Sequence, residues 1–588
     1  MKDTTKKIIS IIGAFILTIF TWHNVNGNGN NVIWILIIPI FYIFINKSLY
    51  ISNKRREVIS LIIGSLFSII EIVCLNINRD FVWSNIFNEW LMINFLGYTI
   101  LIRSLVVYIY NFFTNNKIEE KKIIIGKKEF FSNNIESYIL NFLLIFIAWI
   151  PYFLRYYPGL LTADSCSQVA QAIGRATLTN HHPIVHTGII AIFVNIGINF
   201  FGNINKGVAL YTIFQMFVMA NAFALITTYI SRKNTPLIIR ILTLLYYMFY
   251  PINALFSITM WKDILFAGFI PLYAIITFEM LFNTESFFNS KKKIIIYIVF
   301  SILVMFLRNN GVYIVILTMP FVLYFMRKRW EKTIKIFTII LILFFIIKIA
   351  IFMIFDVKKG SVGEMLSVPL QQIVRVKKYH KEELDEEIQQ RIDNFFKCKD
   401  IEEKYNPVLS DPVKAELNNE YFDSNKGEFV KLWLKLMKSY FIEYVESFIS
   451  NSYGYYYPEA KHWVANRTME KNDMGIEQHK LIEGKIVTQI DSLIEKREIP
   501  IVSMFFSIGM AFWIIVVLFG YKIEKKEYKN IAIYMIIFIL WLTIIASPVF
   551  CEYRYAYPMF TIIPFYLSLN FKKEEKEYGK NSSTNTML

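Results

Sequence analysis

The chain has 588 residues, of which 55% are hydrophobic, 17% aromatic and only 18% charged, and its mean hydropathy is +0.42. Such a composition excludes a soluble globular protein and sets the class as a polytopic, all-α membrane protein. The formal charge of +16, from 62 basic and 46 acidic residues, would read as nucleic-acid affinity in a soluble chain. Here the basic residues follow the short loops between apolar runs, so no nucleic-acid partner is expected.

Apolar runs of about 20 residues are long enough to cross a hydrocarbon core of roughly 30 Å, and about fourteen such spans are predicted along the chain. An N-terminal accessory bundle, residues 1–134, holds the runs at 8–22, 31–45, 57–77 and 86–112. A core, residues 135–356, holds those at 138–153, 207–230, 236–252, 263–282, 294–307, 311–326 and 333–355, with a polar outer loop at 154–187. Residues 357–497 form a mostly helical extracytoplasmic domain. Residues 498–588 hold runs at 499–518, 531–548 and 556–569 and a cytoplasmic tail.

Lysine and arginine in short loops mark the cytoplasmic face. Lys2/Lys6/Lys7, Lys54/Arg55/Arg56, the loop from Lys117 to Lys128, Arg232/Lys233, Lys291/Lys292/Lys293, Arg327/Lys328/Arg329, Lys522 to Lys529 and Lys572/Lys573 all obey one orientation. That orientation holds if the apolar segment 186–201, only about 16 residues long, is a juxtamembrane or re-entrant helix and not a span. Both termini are then cytoplasmic and the protein is a multi-pass resident of the cell membrane. No small-residue cleavage site follows the first span, so no cleaved signal peptide is expected. Within the outer domain, 382–398 reads as a charged helix and 429–449 as an amphipathic one suited to a membrane surface. No strand-rich stretch is expected.

Cys74, Cys166, Cys398 and Cys551 form no close pair, so no disulfide framework is expected. His23, His380, His462 and His479 read as ordinary loop histidines. His182 and His186, spaced i, i+4 at a helix start, can present both imidazoles on one face as in zinc sites. Asp164, His182 and His186 are the candidate ligands of a divalent metal ion. The polar loop itself reads RYYPGLLTADSCSQVAQAIGRATLTNHHPIVHT from Arg155 to Thr187. Thr162 or Asp164 in its TADS can cap a short helix reaching Gly174. Alternatively, the Asp164 carboxylate serves as a general base at the membrane surface. Asp263, in MWKDIL, opens a span at the same face and is the second candidate catalytic acid.

The order of these elements resembles the GT-C type of membrane glycosyltransferase, which includes the protein O-mannosyltransferases and the oligosaccharyltransferase catalytic subunits. Members carry an acid in the first large outer loop of the core, a His-Pro-type helix after it and a second acid at a later outer span end. Here those positions are Asp164, the HHPIVHT segment at His181–Thr187 and Asp263, within roughly 138–326. Two departures leave metal dependence and acceptor open: the first acid stands in DS where DE or DD is common, and four spans precede the core. The PGLLTADS and HHPI signatures also resemble an uncharacterised family of Gram-positive membrane proteins.

The resemblance implies a donor sugar carried on polyprenyl phosphate, a cell-envelope glycan or protein as acceptor, and a cationic pocket at the outer face. Arg308 in LRNNG, Arg554 in EYRYAYP and Arg375 in SVPLQQIVRV are the candidate phosphate-binding arginines, since a guanidinium grips phosphate through paired hydrogen bonds. Snorkelling anchors are the plain alternative. His181, His182 and Tyr555 join them as substrate-binding candidates, and the aromatic runs 453–457 and 553–557 as stacking surfaces for sugar rings. A transporter or flippase of a lipid-linked glycan would use the same arginines. A non-enzymatic membrane protein with an outer ligand-binding domain is the third class.

Overall fold

The computed structural model describes residues 3–25, 31–76, 86–115, 123–125, 128–232, 235–360, 362–460, 467–483 and 503–571. Lys2, Lys233, His462, Lys572 and Lys573 lie outside them, as does most of the basic loop at 117–128. The helices are α1 (Asp3–Asn24), α2 (Asn31–Ile51), α3 (Lys54–Leu75), α4 (Leu91–Asn115), α5 (Ile135–Arg155), α6 (Ala163–Ala172), α7 (Ile184–Phe201) and α8 (Ile204–Arg232). They continue as α9 (Leu237–Phe249), α10 (Pro251–Ser257), α11 (Lys262–Phe282), α12 (Thr284–Phe288), α13 (Lys291–Leu307), α14 (Gly311–Phe325) and α15 (Trp330–Ile354). After a run of shorter helices, α16 (Ser367–His380), α17 (Glu386–Asp393), α18 (Asp411–Ala415), α19 (Asn419–Ser424), α20 (Lys426–Ser439) and α21 (Phe441–Ser452), the chain closes on α22 (Ile508–Glu524), α23 (Asn530–Ala546) and α24 (Tyr553–Ser568).

Helix dominates because an apolar run in lipid must satisfy its backbone polar groups within the segment. Among the described residues, nine helices are long and apolar enough to cross a membrane, and the pair α9 and α10, bent by 49°, would make a tenth span. One element departs from the all-helical expectation. A two-stranded hairpin pairs β1 (Ile123–Ile125) with β2 (Lys128–Phe130), Ile123 opposite Phe130, in the basic loop before α5.

The bundle has two chemically distinct ends. At one, Arg56 of α3 pairs with Glu524 of α22 at 3.2 Å, and Lys293 of α13 with Glu279 of α11 at 2.9 Å. At this end stand the starts of α3 and α13, which carry Lys54, Arg55, Arg56 and Lys291 to Lys293. At the other stand the C-terminus of α5, α6 and the starts of α11, α14 and α24. α5 and α8 run antiparallel between the two ends, Asn141 bonding Thr228 at 3.2 Å. Near its far end Trp149 of α5 donates to the Tyr247 carbonyl of α9.

α7, 18 residues long, passes the same test of length and apolarity. Its contacts nevertheless hold it to the end opposite the basic loops. His186 touches Tyr211 of α8, and Gly197 lies so close to Gly207 that a Cβ on it would stand 2.2 Å from the Gly207 Cα. α8 continues from Tyr211 towards the basic end, where Tyr229 donates to Glu279. Both ends of α7 therefore lie on the side of the bundle that carries α6.

Residues 362–452 have a hydrophobic cluster of their own, built on Leu370, Ile373, Val374, Ile392, Phe395, Leu417, Phe429 and Leu432. The amphipathic helix expected over 429–449 is broken at Tyr440 into α20 and α21, which lets Tyr444 turn inward and donate to the Trp433 carbonyl. The unit joins the end of the bundle that carries α6: Trp513 of α22 donates to the Tyr456 carbonyl at 2.9 Å, and Tyr455 donates to the Val549 carbonyl. Residues 467–483 strap the same end, with Glu470 N bonding Leu161 O at 2.9 Å and His479 N bonding Tyr157 O at 2.7 Å.

Candidate functional site

The site is assembled from helix starts. Leading into α6, Gly159 has φ +138°, and a Cβ there would stand 2.3 Å from the Thr212 hydroxyl of α8. Only glycine fits both constraints. Leu160 then runs beside the approach to α11, its N–H bonding Ile258 O and its carbonyl accepting from Met260 N, both at 2.9 Å. Trp261 Nε1 donates to Thr162 Oγ1 at 2.6 Å, and Ser165 Oγ donates to Met260 O at 2.5 Å. The first turns of α6 and α11 are thereby stitched together, although 99 residues separate Thr162 from Trp261.

Asp164, in the first turn of α6, points into this junction. Its Oδ2 accepts from Arg554 Nη1 at 2.7 Å and lies 3.6 Å from Lys262 Nζ. The capping alternative does not describe it, because the N-cap position is Thr162, whose side chain makes no capping bond. Burial by itself would raise the Asp164 carboxyl, but Arg554 and Lys262 outweigh it and hold the group well below the ordinary carboxylate range. Lys262 Nζ also donates to His182 Nδ1 at 3.0 Å, which leaves the ring proton on Nε2. Burial, reinforced by the Lys262 charge, takes His182 down to about 3, so the ring is neutral. His181 packs edge-on against it, ring centres 4.5 Å apart.

Asp263 and Arg308 form the second pair. Arg308, at the C-terminal cap of α13, brings Nε within 3.0 Å of Asp263 Oδ1, an approach too poorly aligned to count as a hydrogen bond for either carboxylate oxygen. Arg308 Nη1 is buried without a hydrogen-bond partner. The two arginines meet over one ring: Arg308 stands 4.2 Å and Arg554 5.0 Å from the centre of Tyr555, and Arg554 also lies 5.0 Å from Trp261. Cation–π contact of this kind holds guanidinium groups in place without consuming their N–H donors. Glu552 adds a third acid, 3.4 Å from Arg554 Nε, and burial lifts it to about 6.

The sequence-predicted residues divide accordingly. Asp164, Asp263, Arg308, Arg554, Tyr555 and His182 are brought together, with His181 beside them. Arg375 is not: it lies in α16, where Nε donates to Glu443 at 2.7 Å, Nη1 to Tyr405 at 3.2 Å and Nη2 to Glu446. Its place just past the outer end of an apolar run made it a candidate phosphate-binding arginine, whereas its partners make it the internal counter-ion of the 362–452 unit. The His182/His186 pair is split as well. His186 is spent on Gln168 through Nδ1 and on Tyr211 through Nε2, and Tyr211 in turn donates to Gln215. Among the described residues no three His, Cys, Asp or Glu side chains converge on a point where a metal would sit. Asp164 faces two cations in place of further donors. Of the tyrosine runs, Tyr455, Tyr553 and Tyr557 are fully buried in the bundle, whereas the Tyr555 ring lies against both arginines of the charged cluster. Among the described residues no disulfide joins the four cysteines.

Lys262, Trp261 and Glu552 were not singled out from the sequence. Lys262 had a usable signal, being a lysine at the end of a span opposite the basic loops, where charge bias disfavours it. Asp164, Asp263 and Arg554 stand in the first turns of α6, α11 and α24, where each helix carries the positive end of its dipole. Three cations, Lys262, Arg308 and Arg554, add to that field. The arrangement is suited to holding an anion beside a carboxylate.

No curated protein and no solved structure matches the chain. A family model covers residues 172–585, a range that contains Lys262, Asp263, Arg308 and Arg554 and begins just past Asp164. On that match the chain belongs to the family described as a family of unknown function, DUF6020.

Proposed function

We propose that the protein is a membrane glycosyltransferase of the GT-C type, moving a sugar from a polyprenyl-phosphate donor to a cell-envelope acceptor at the outer face. The observation that carries this reading is the cluster of Lys262, Arg308 and Arg554 around Asp164 and Asp263 at converging helix starts. It offers an anion site and a carboxylate side by side, with an unspent donor on Arg308. In the reaction the acceptor hydroxyl oxygen forms a bond to the anomeric carbon while the bond from that carbon to the phosphate oxygen breaks. The hydroxyl proton passes to Asp164. The departing phosphate keeps the electron pair and is stabilised by Arg554 and Arg308, with His182 Nε2–H as a further donor. Tyr555 is oriented by both guanidinium groups. The cations supply the charge stabilisation that a divalent ion supplies elsewhere, so we assign Asp164 to proton transfer and not to metal binding.

In this reading the cluster faces the outside and the basic loops the cytoplasm, with both termini inside. Counting α9 with α10 as one span, including the short helices α13, α14, α22, α23 and α24 and leaving out α7 gives fourteen spans. Local bilayer thinning accommodates the short ones. Cysteine labelling from outside should then reach positions in 155–187 and 357–497 but not Lys291→Cys.

The deciding assay uses purified protein in lipid with a radiolabelled polyprenyl-phosphate sugar, following both transfer to acceptor and release of lipid phosphate. Movement of the lipid across the bilayer with the sugar–phosphate bond intact would reject the enzyme and promote the flippase.

A further inference from the structure

The charges at the site are already matched to one another. Arg554 is taken by Asp164 and Glu552, Lys262 by Asp164 and His182, and Arg308 by Asp263. A phosphate can reach the unpaired Nη1 of Arg308 directly, but to engage Arg554 and Lys262 as well it must displace an internal carboxylate. Three facts identify which one. The Asp164 side chain is 30% exposed, against 17% for Glu552 and 0% for Asp263. It is also the acid that binds two of the cations at once. Finally, it projects from the first turn of a ten-residue helix following a loop, whereas Asp263 sits at the fully packed start of α11.

We propose that Asp164 occupies the anion site in the resting protein as an internal surrogate for the donor phosphate, and that donor binding unmasks it by drawing Arg554 and Lys262 away. The inference rests on the donor reading above and adds an order to it. A carboxylate bound by two cations is a poor base, since both stabilise its charge. Once Arg554 and Lys262 turn to the phosphate, the same carboxylate loses that stabilisation and becomes basic enough to accept a hydroxyl proton. The base is thus armed only when a sugar donor is present, so the donor binds before the acceptor is activated.

The test is equilibrium binding of a polyprenyl-phosphate sugar, a diester whose charge does not change near neutral pH, to the purified full chain in detergent. Asp164→Asn and Asp164→Ala remove the internal competitor, and each should tighten binding by roughly tenfold over the natural protein, the order expected from releasing one charge-assisted bond. Arg554→Gln should abolish binding in every background. Weaker binding in both Asp164 variants would overturn the inference, because the carboxylate would then be preorganising the arginine and not competing for the ligand. Unchanged binding that still depends on Arg554 would overturn it while leaving the donor reading standing. No binding in any form would overturn the donor reading, and the inference with it. Failure of both Asp164 variants to fold would also overturn it, since a counter-ion the fold cannot spare cannot be displaced by a ligand.

Discussion

Arg308 and Arg375 make the informative comparison. Both follow apolar runs, both are largely withdrawn from solvent, and both lie against carboxylates and aromatic rings. Arg375 has every nitrogen engaged, by Glu443, Tyr405 and Glu446, and acts as a closed knot inside the 362–452 unit. Arg308 touches Asp263 obliquely through Nε and keeps Nη1 unpaired. A buried polar group left unsatisfied costs stability unless a ligand repays it. The difference separates a charge that holds the fold from one that is held by it.

The sharpest way to break this comparison is at the base. Asp164→Asn keeps the shape of the side chain and removes its basicity, so transfer should fall about a thousandfold, read as product formed per unit of folded protein. Full activity in this variant would end the assignment. Arg375→Met should act on the other side of the contrast, destabilising the chain by about 3–5 kcal/mol by stranding Glu443 and Glu446, read by chemical denaturation, with transfer by the remaining folded protein unchanged. A loss of transfer there without a loss of stability would dissolve the distinction between the two arginines.

Arg308→Lys keeps the charge but loses the planar fork, and transfer should drop about a hundredfold with little change in stability. Glu552 gives the smallest effect. Burial raises it to about 6, so it takes up a proton as the pH falls through that value and leaves three cations facing two carboxylates. Binding of a polyprenyl-phosphate sugar should therefore strengthen by a few fold below about pH 6, and Glu552→Gln should flatten the profile. The stability consequence runs in the same direction: a carboxyl lifted above its ordinary value costs the fold most when ionised, so that cost is full above about 6 and disappears as the pH falls towards the unperturbed range.

The helical build and the basic end were legible in the residues, because a span advertises itself through its own local composition. Arg56 and Lys293 sit where the loop charges put them, and the apolar stretches behind them became helices. Asp164 stood out for an equally local reason, as an acid in a polar loop between apolar runs. The hairpin at Ile123–Phe130 and the break at Tyr440 were not legible, since each depends on a few backbone bonds that leave little trace in periodicity. His182 and His186 were misread together: four residues apart at a helix start looks like a shared face, and the bend at Pro183 sends one ring to Lys262 and the other to Tyr211.

By itself the sequence determined that this chain is built of apolar helices, which loops gather at its basic end, and that a polar segment around Asp164 interrupts them, since these properties reside in short stretches of residues. Only the tertiary structure decided that Arg554, 390 residues from Asp164, reaches its carboxylate, that Arg308 meets Asp263, and that Arg375 does neither. Ion pairing depends on distances of a few ångströms between side chains on separate helices, and helix packing alone sets those distances.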